Sequence, residues 1–311
     1  MISFGPITSR RLGKSLGINN IPVTKTCSYS CIYCQVGVTN NQSAARSIFY
    51  DPEFIYEKVQ QHIKLLNEND KPDYLTFVAN GEPTLDVNIG RSIALLKTLN
   101  IPVAVITNAS LLSEASVRED LKEADWVSVK IDAGNNVLWK AINRPVVGVG
   151  FEQLISGLIE FAKMFKGHLM TETMLVRFVN DTMGILQQIA DIVAQIQPET
   201  AYLSVPTRPP ALQLVQKPDE NTITEAFQIF SEKTTIVELL LGFEGTNIGV
   251  TGNIQRDILS ICAVHPVRED TMEELLRKNR TDRKILESLM NKQLIKQVSY
   301  HGMKFYVRKI Q

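Results

Sequence analysis

Short apolar runs alternate along most of this 311-residue chain with longer segments of helical period, and that rhythm admits few folds. Strands and helices in regular alternation build βαβ units around a parallel sheet. Strands are expected over Gly17–Val23, Tyr74–Ala79, Val103–Thr107, Trp126–Ile131, Leu169–Val176 and Ala201–Val205. Helices are expected over Cys31–Val36, Pro52–Asn67, Asn88–Leu99, Glu114–Glu123, Phe151–Phe165 and Thr182–Ile196, with another over Asp219–Lys233. Six such units are too few to close an eight-stranded barrel. The expectation is an α/β fold, a partial, curved (βα)6 TIM-like barrel with its chemistry at the C-terminal strand ends. After the turn-rich stretch Gly242–Gly252 the pattern changes. Helices over Asn253–Ala263, Met272–Arg277 and Thr281–Lys292, then strands over Ile295–Tyr300 and Lys304–Lys309, predict a small winged-helix domain. In its third helix Ile285, Leu286, Leu289 and Met290 would face the core, leaving Arg283, Lys284, Ser288, Asn291 and Lys292 outward. The division is a barrel over 1–245 and a winged-helix-like domain over 253–311.

The chemistry concentrates in Cys27-Ser28-Tyr29-Ser30-Cys31-Ile32-Tyr33-Cys34, a C-x3-C-x2-C spacing. Thiolates are soft ligands for iron-sulfur clusters or zinc, and a compact cysteine run on a loop can wrap one cubane. Three thiolates leave one iron of a [4Fe-4S] cluster without a protein ligand, and an open metal position belongs to sites that do chemistry. Structural zinc would need a fourth ligand. The nearest histidine, His62, and the remaining cysteine, Cys262, are both remote in sequence. Cys262 sits in an apolar helical run and reads as a small buried hydrophobe. Three of four cysteines in one cluster do not make a disulfide framework, which favours a reducing cytoplasm. No apolar stretch suits a signal peptide or a membrane span. The formal charge is zero, 33 basic against 33 acidic residues, so no global field draws polyanions. From Asn253 onward, however, 12 Lys and Arg face 7 Asp and Glu, a net of +5 that permits a nucleic-acid-facing tail.

Polar residues gather where strands should end. Asn80-Gly81-Glu82-Pro83 follows the second strand, with Gly81 able to let the backbone approach a ligand and Glu82 offering a carboxylate at the barrel mouth. Thr107 and Asn108 can hold a ribose hydroxyl or cap a helix. Alternation along the fourth strand puts Ser128, Lys130 and Asp132 on the cavity face. Lys130 there can hold an anion, act as acid or base, or form a Schiff base; the plainer alternative is a salt bridge with Asp132. Glu172, among Met170, Met174 and Val176, requires a cationic or hydroxyl partner, either a ligand or a structural arginine. Prolines stiffen the segment around Arg208, which can clamp a carboxylate or phosphate. The cations Arg10, Arg11 and Lys14 precede the first expected strand, at its far end from the cysteine loop, and read as surface or structural residues as readily as substrate contacts.

The cysteine spacing, with an aromatic residue directly before Cys34, resembles the signature of the radical S-adenosylmethionine (SAM) superfamily. Ser9-Arg10-Arg11-Leu12-Gly13, Ile18-Asn19-Asn20, Gly81-Glu82-Pro83-Thr84, Asp132-Ala133-Gly134, Ile142-Asn143-Arg144-Pro145 and Arg208-Pro209-Pro210 look like a bacterial branch similar to the wyosine-tRNA synthases. The resemblance implies a [4Fe-4S] cluster on Cys27, Cys31 and Cys34, with SAM on the open iron. It implies that Glu82 contacts the methionine amine with help from Asn80 and Gly81, Asn80 standing where the family motif has its first glycine. Tyr33 would pack near the adenine, and Thr107, Asn108 and Ser128 would complete the cofactor site. Lys130, Asp132 and Glu172 would be catalytic, with Arg208 on the substrate. A low-potential donor, flavodoxin or ferredoxin, would supply an electron to cleave SAM, and the 5'-deoxyadenosyl radical would take a hydrogen from an RNA base, foremost in tRNA. A peptide or protein is the rival substrate. Archaeal-type wyosine synthases hold a second cluster on upstream cysteines, and none precedes Cys27 here, so two-carbon condensation onto a tRNA guanine is not carried over. An iron-sulfur sensor binding DNA through the winged helix is the alternative of another class; it needs no SAM pocket, and Glu82 at a strand end argues against it.

Overall fold

The computed structural model describes residues 2–22, 24–243 and 245–309. Its main sheet runs in chain order: β1 (Ser3–Ser9), β2 (Gly13–Ile18), β3 (Tyr74–Phe77), β4 (Val103–Thr107), β5 (Trp126–Lys130), β6 (His168–Met174), β7 (Thr200–Ser204) and β8 (Val237–Leu240). Strand β1 is antiparallel to β2 and every later pair is parallel. Helices α1 (Pro52–Leu65), α2 (Ile89–Lys97), α3 (Ala115–Leu121), α4 (Asn136–Ile142), α5 (Phe151–Met164), α6 (Met183–Ile196) and α7 (Glu220–Ser231) form the crossovers. The result is a curled half-barrel. It is built by strand alternation: Val127, Val129 and Leu203 turn outward into the main core beneath the helices, while Ala104, Trp126, Met170 and Tyr202 turn inward. On the helix side, α6 buries Leu186, Ile189, Val193 and Ile196 along one stripe.

Three local expectations are corrected. The first strand lies at Gly13–Ile18 instead of Gly17–Val23, because Ser15–Ile18 pair with Tyr74–Phe77 and the chain leaves the sheet beyond Ile18; Val23 itself lies outside the described residues. Strands β1 and β8 extend the sheet to eight. β1 escapes a pattern reading because Gly5-Pro6 interrupts it. An edge strand tolerates the proline, and the β1–β2 register shifts between Phe4 and Ile7. Finally, Cys31–Val36 is not a helix. The amide hydrogens of Ser30 and Ile32 donate to the carbonyls of Asn143 and Ile142, each at 3.0 Å, and only two successive turns remain, closed by Cys34 N to Cys31 O and Gly37 N to Cys34 O.

The C-terminal unit comprises α8 (Ile254–Val264), β9 (Val267–Arg268), α9 (Glu269–Lys278), α10 (Lys284–Asn291), β10 (Ile295–Tyr300) and β11 (Met303–Arg308), with an antiparallel sheet ordered β9-β11-β10. This is the helix and hairpin order of a winged helix. Leu286 and Leu289 are buried in its core, with Ile285 and Met290 packed beside them. Phe4 of β1 and Ile248 belong to the same apolar cluster, so the unit closes the side of the half-barrel that β1 borders. On the outward face of α10, Arg283 is tied to Glu269 and Glu273. Among the described residues no helix is long and apolar enough to cross a membrane.

Candidate active site

The inward-facing side chains divide the half-barrel into an apolar floor and a polar upper level. Leu12, from the β1–β2 turn, packs with Ala104, Trp126, Met170, Tyr202 and Leu240 to fill the floor. Above it, a cavity of about 270 Å³ is lined by Cys27, Cys31 and Cys34 on one side and by Lys130, Glu172 and Ser204 on the other. Tyr33, Gly81, Glu82, Thr107, Asn108 and Arg208 also line it. Arg10, Arg11 and Lys25 face the same space; the sequence left the two arginines open between surface, structural and substrate roles and passed over Lys25.

The cysteine loop is fixed at both ends. Thr26-Cys27 pairs with Asn41-Gln42, and the Asn143-Arg144-Pro145 block clamps residues 28–32 through Tyr29 opposite Pro145 and Val146 N to Ser28 O at 2.8 Å. Gly81 holds the other approach. Its φ is +146° and a Cβ on it would lie 1.7 Å from Thr26 O, so only glycine admits the contact. Glu82 N then donates to the same Thr26 carbonyl at 3.1 Å. Gly81 therefore brings the carboxylate loop against the chain that leads into Cys27, a closer tie than the ligand approach its sequence context suggested.

Each cysteine sulfur receives a side-chain N–H donor: Asn108 Nδ2 reaches Cys27 at 3.5 Å, Asn143 Nδ2 reaches Cys31 at 3.5 Å, and Lys25 Nζ reaches Cys34 at 3.2 Å, with Tyr29 N a second donor to Cys27 at 3.5 Å. Burial, with the charge of Glu82, pushes the Cys27 thiol far up; burial, with Cys34 and Asp132, pushes Cys31 up to about 12. Such thiols ionise when a metal takes the proton's place. Among the described residues no three His, Cys, Asp or Glu side chains gather round one point, as zinc bonds of about 2.3 Å to sulfur would require. Three thiols that line one cavity, each with an N–H donor, suit the sulfur ligands of an iron-sulfur cluster.

Glu82 is buried, and burial raises its carboxyl although four hydrogen bonds oppose the shift. Oε1 accepts from Thr107 Oγ1 (2.6 Å), Thr84 Oγ1 (2.7 Å) and Thr84 N (3.1 Å); Oε2 accepts from Asn108 N (2.7 Å). Oε2 keeps acceptor capacity for an ammonium group. Thr107 and Asn108 thus orient Glu82 and do not cap α3, whose N-cap is Glu114. Asn80 lies behind this wall, its amide hydrogen bonded to Asn19 Oδ1 at 2.8 Å.

On the opposite wall Glu172 accepts from Lys130 at 2.5 Å, from Ser204 Oγ at 3.0 Å and from Arg11. Burial works against its charge, but the Lys130 and Arg11 cations and these hydrogen bonds outweigh it and hold the carboxyl well below the usual range. The required partner of Glu172 is thus two cations of this chain. Arg11 reaches it because the β1–β2 turn tucks into the lumen behind Leu12, so of the roles left open for Arg11 the surface one is excluded and the structural one is met. Lys130 pairs with Glu172, not Asp132, and its ammonium lies 5.6 Å from the Tyr33 ring centre. Asp132 and Ser128 do not line the main cavity. Asp132 falls beyond the end of β5, where it accepts from Tyr33 Oη, Asn143 Nδ2 (2.8 Å) and Met174 N (2.8 Å); Ser128 is buried between Trp126 and Lys130 on the inner face. Tyr33 is accordingly anchored through its hydroxyl. Arg208 donates to Gln35 Oε1 at 3.1 Å, and Gln35 Nε2 donates to Val264 O at 3.2 Å, linking the cysteine loop to α8.

The sequence pattern of the Radical SAM superfamily matches residues 21–188. A UPF0026 protein of Methanocaldococcus jannaschii is 41% identical over 311 residues, covering 99% of this chain and 96% of the relative. Among solved structures, TYW1 with a lysine-pyruvate adduct bound aligns with a TM-score of 0.56 at 15% identity, over 72% of this chain and 76% of that one. Streptococcus suis SuiB bound to S-adenosylmethionine aligns with a TM-score of 0.53 at 12% identity, over 72% and 49%. These two likenesses concern the fold. Together with the cysteine wall, the family match and the relative that spans nearly the whole chain establish that the protein belongs to the radical SAM superfamily, enzymes that use a [4Fe-4S] cluster and S-adenosylmethionine, and within it to the UPF0026 proteins.

Proposed function

We propose that this radical SAM enzyme abstracts hydrogen from a base of RNA, in tRNA. The observation that carries the reading is that the cysteine cavity shares the wall Val205–Arg208 with a cleft of about 320 Å³ between the barrel mouth and the C-terminal unit. Lys217, Arg268 and His301 line that cleft, and the exposed Phe243 ring carries the Arg268 guanidinium 3.4 Å from its centre. Cations beside exposed aromatic faces suit phosphates and splayed bases of single-stranded RNA. Arg268 is itself paired with Asp270, so Lys217 carries more of the phosphate contact.

When bound, the cluster and SAM would supply the radical chemistry for hydrogen abstraction from substrate. Cys27, Cys31 and Cys34 hold the cluster. Glu82 takes the methionine ammonium, oriented by Thr107, Thr84 and the Asn108 amide. Tyr33, pinned by Asp132, walls the adenine side. Lys130, Glu172 and Arg11 form the substrate wall, where their mutual pairing fixes each charge in place before substrate enters. Asp132 acts through Tyr33, as a positioning group. In this reading residues 253–311 form the winged-helix domain that presents RNA to the barrel of residues 1–245. The protein works in the cytoplasm with flavodoxin or ferredoxin as donor.

The test is 5'-deoxyadenosine release by anaerobically reconstituted protein with strong reductant and SAM, with and without bulk tRNA. The reading expects release that tRNA stimulates and ribonuclease pretreatment abolishes. Release that tRNA leaves unchanged and a peptide stimulates would replace RNA with a peptide substrate.

A further inference from the structure

Lys25 is 5% exposed, yet among the described residues no carboxylate pairs with it. Its ammonium donates to Cys34 Sγ at 3.2 Å and to the carbonyl of Gly37. A buried ammonium whose partners are a thiol and a carbonyl is poorly compensated, because stripping water from a cation costs several kcal/mol unless an anion faces it. The anion is supplied when Cys34 becomes a thiolate and ligates the cluster. The other two sulfurs receive neutral amide donors from Asn108 and Asn143. Among the described residues Lys25 is therefore the one charged donor to the three sulfurs, and its charge also favours the thiolate forms of Cys27 and Cys31.

We propose that Lys25 is a positioning residue that sets the reduction potential of the cluster held by Cys27, Cys31 and Cys34. The inference rests on the cluster reading of the cysteine wall. An oxidised [4Fe-4S] core with three thiolates carries one net negative charge, and uptake of an electron makes it two. A fixed cation in hydrogen-bond contact with a ligand sulfur stabilises the more negative form, and both net charge and hydrogen bonds to sulfur move the potentials of such clusters. Lys25 thus raises the potential and lets a biological donor fill the cluster, without touching SAM or substrate. Its sequence position, two residues before Cys27, places it immediately before Thr26, whose backbone Gly81 and Glu82 contact.

The experiment uses the full chain reconstituted anaerobically with iron and sulfide, as wild type, Lys25→Met and Lys25→Arg. Iron and sulfide per chain are measured first, and the potential is then titrated by electron paramagnetic resonance without SAM. Lys25→Met is expected to load its cluster and to shift the reduction equilibrium at least tenfold toward the oxidised form, about 59 mV for one electron, with Lys25→Arg close to wild type. If Lys25→Met fails to load, Lys25→Gln, which keeps a donor for Gly37 O without the charge, is titrated in its place under the same criterion. A neutral variant that loads fully and titrates at the wild-type potential overturns the proposal and leaves the cluster intact. A wild-type chain that takes up no iron removes the cluster reading, and the proposal with it.

Discussion

Gly81→Ala is a test of how the cofactor walls are joined. The added Cβ would sit 1.7 Å from Thr26 O and 2.7 Å from Thr26 C, both backbone atoms that no rotamer change can move aside. The φ of +146° adds a conformation almost restricted to glycine, which costs about 1–3 kcal/mol for another residue. To relieve the clash the two chains must part by more than about 1 Å, and the Glu82 N to Thr26 O hydrogen bond, worth about 1 kcal/mol net, goes with them. Apo-protein stability should fall by about 2–4 kcal/mol, read from the urea midpoint at unchanged slope. Because Thr26 precedes Cys27 and Gly81 precedes Glu82, the same parting shifts the proposed cluster ligand against the carboxylate proposed to bind the amine. A displacement of about 1 Å in such a site costs on the order of 10²-fold in rate, measured as 5'-deoxyadenosine release per loaded cluster. A Gly81→Ala protein with stability within about 0.5 kcal/mol of wild type and full release would show that this contact is not a constraint.

Glu172→Gln leaves the half-buried Arg11 and Lys130 cations without their carboxylate and should cost about 2–3 kcal/mol in urea unfolding, less than for fully buried charges; a loss below about 1 kcal/mol would mean that the two cations find other compensation. Since the Glu172 carboxyl is held well below its ordinary range, the stabilisation it gives is complete above about pH 4.3 and is lost as pH falls further, so the acid limb of the wild-type stability curve should flatten in Glu172→Gln. Glu82, by contrast, is raised by burial, so calorimetric SAM affinity should weaken as pH drops through its titration, and Glu82→Gln should lose both affinity and that pH dependence; unchanged affinity would remove Glu82 from the amine site. Replacing Cys27, Cys31 and Cys34 together by Ala should abolish iron uptake and 5'-deoxyadenosine release, and residual release at the wild-type rate would exclude the three thiols as ligands.

What the sequence made legible, and what it hid, divides along the range of the interactions involved. Strands β3 to β7 fall within a residue or two of their expected places because an inward and outward alternation is written locally in Val103–Thr107 and Trp126–Lys130. The cysteine spacing and the carboxylate at Glu82 are local in the same sense. Arg11 was hidden because its place depends on an antiparallel edge strand whose Gly5-Pro6 reads as a turn. Only once β1 pairs with β2 does Leu12 drop among Trp126, Met170 and Tyr202 and carry Arg11 toward Glu172. Lys25 was hidden for a related reason: a lone lysine in a loop has no pattern, and its meaning lies in Cys34, to which it is joined by the fold of the loop alone. Asp132 shows the converse error, since extending the alternation of β5 one step past Lys130 assigns it to the cavity, whereas the chain has already turned and Tyr33, Asn143 and the Met174 amide claim its carboxylate. The cysteines and Glu82 are therefore declared by short local motifs, whereas the partners of the cations facing them, Glu172 for Arg11 on one wall and Cys34 for Lys25 on the other, are set only by the tertiary fold.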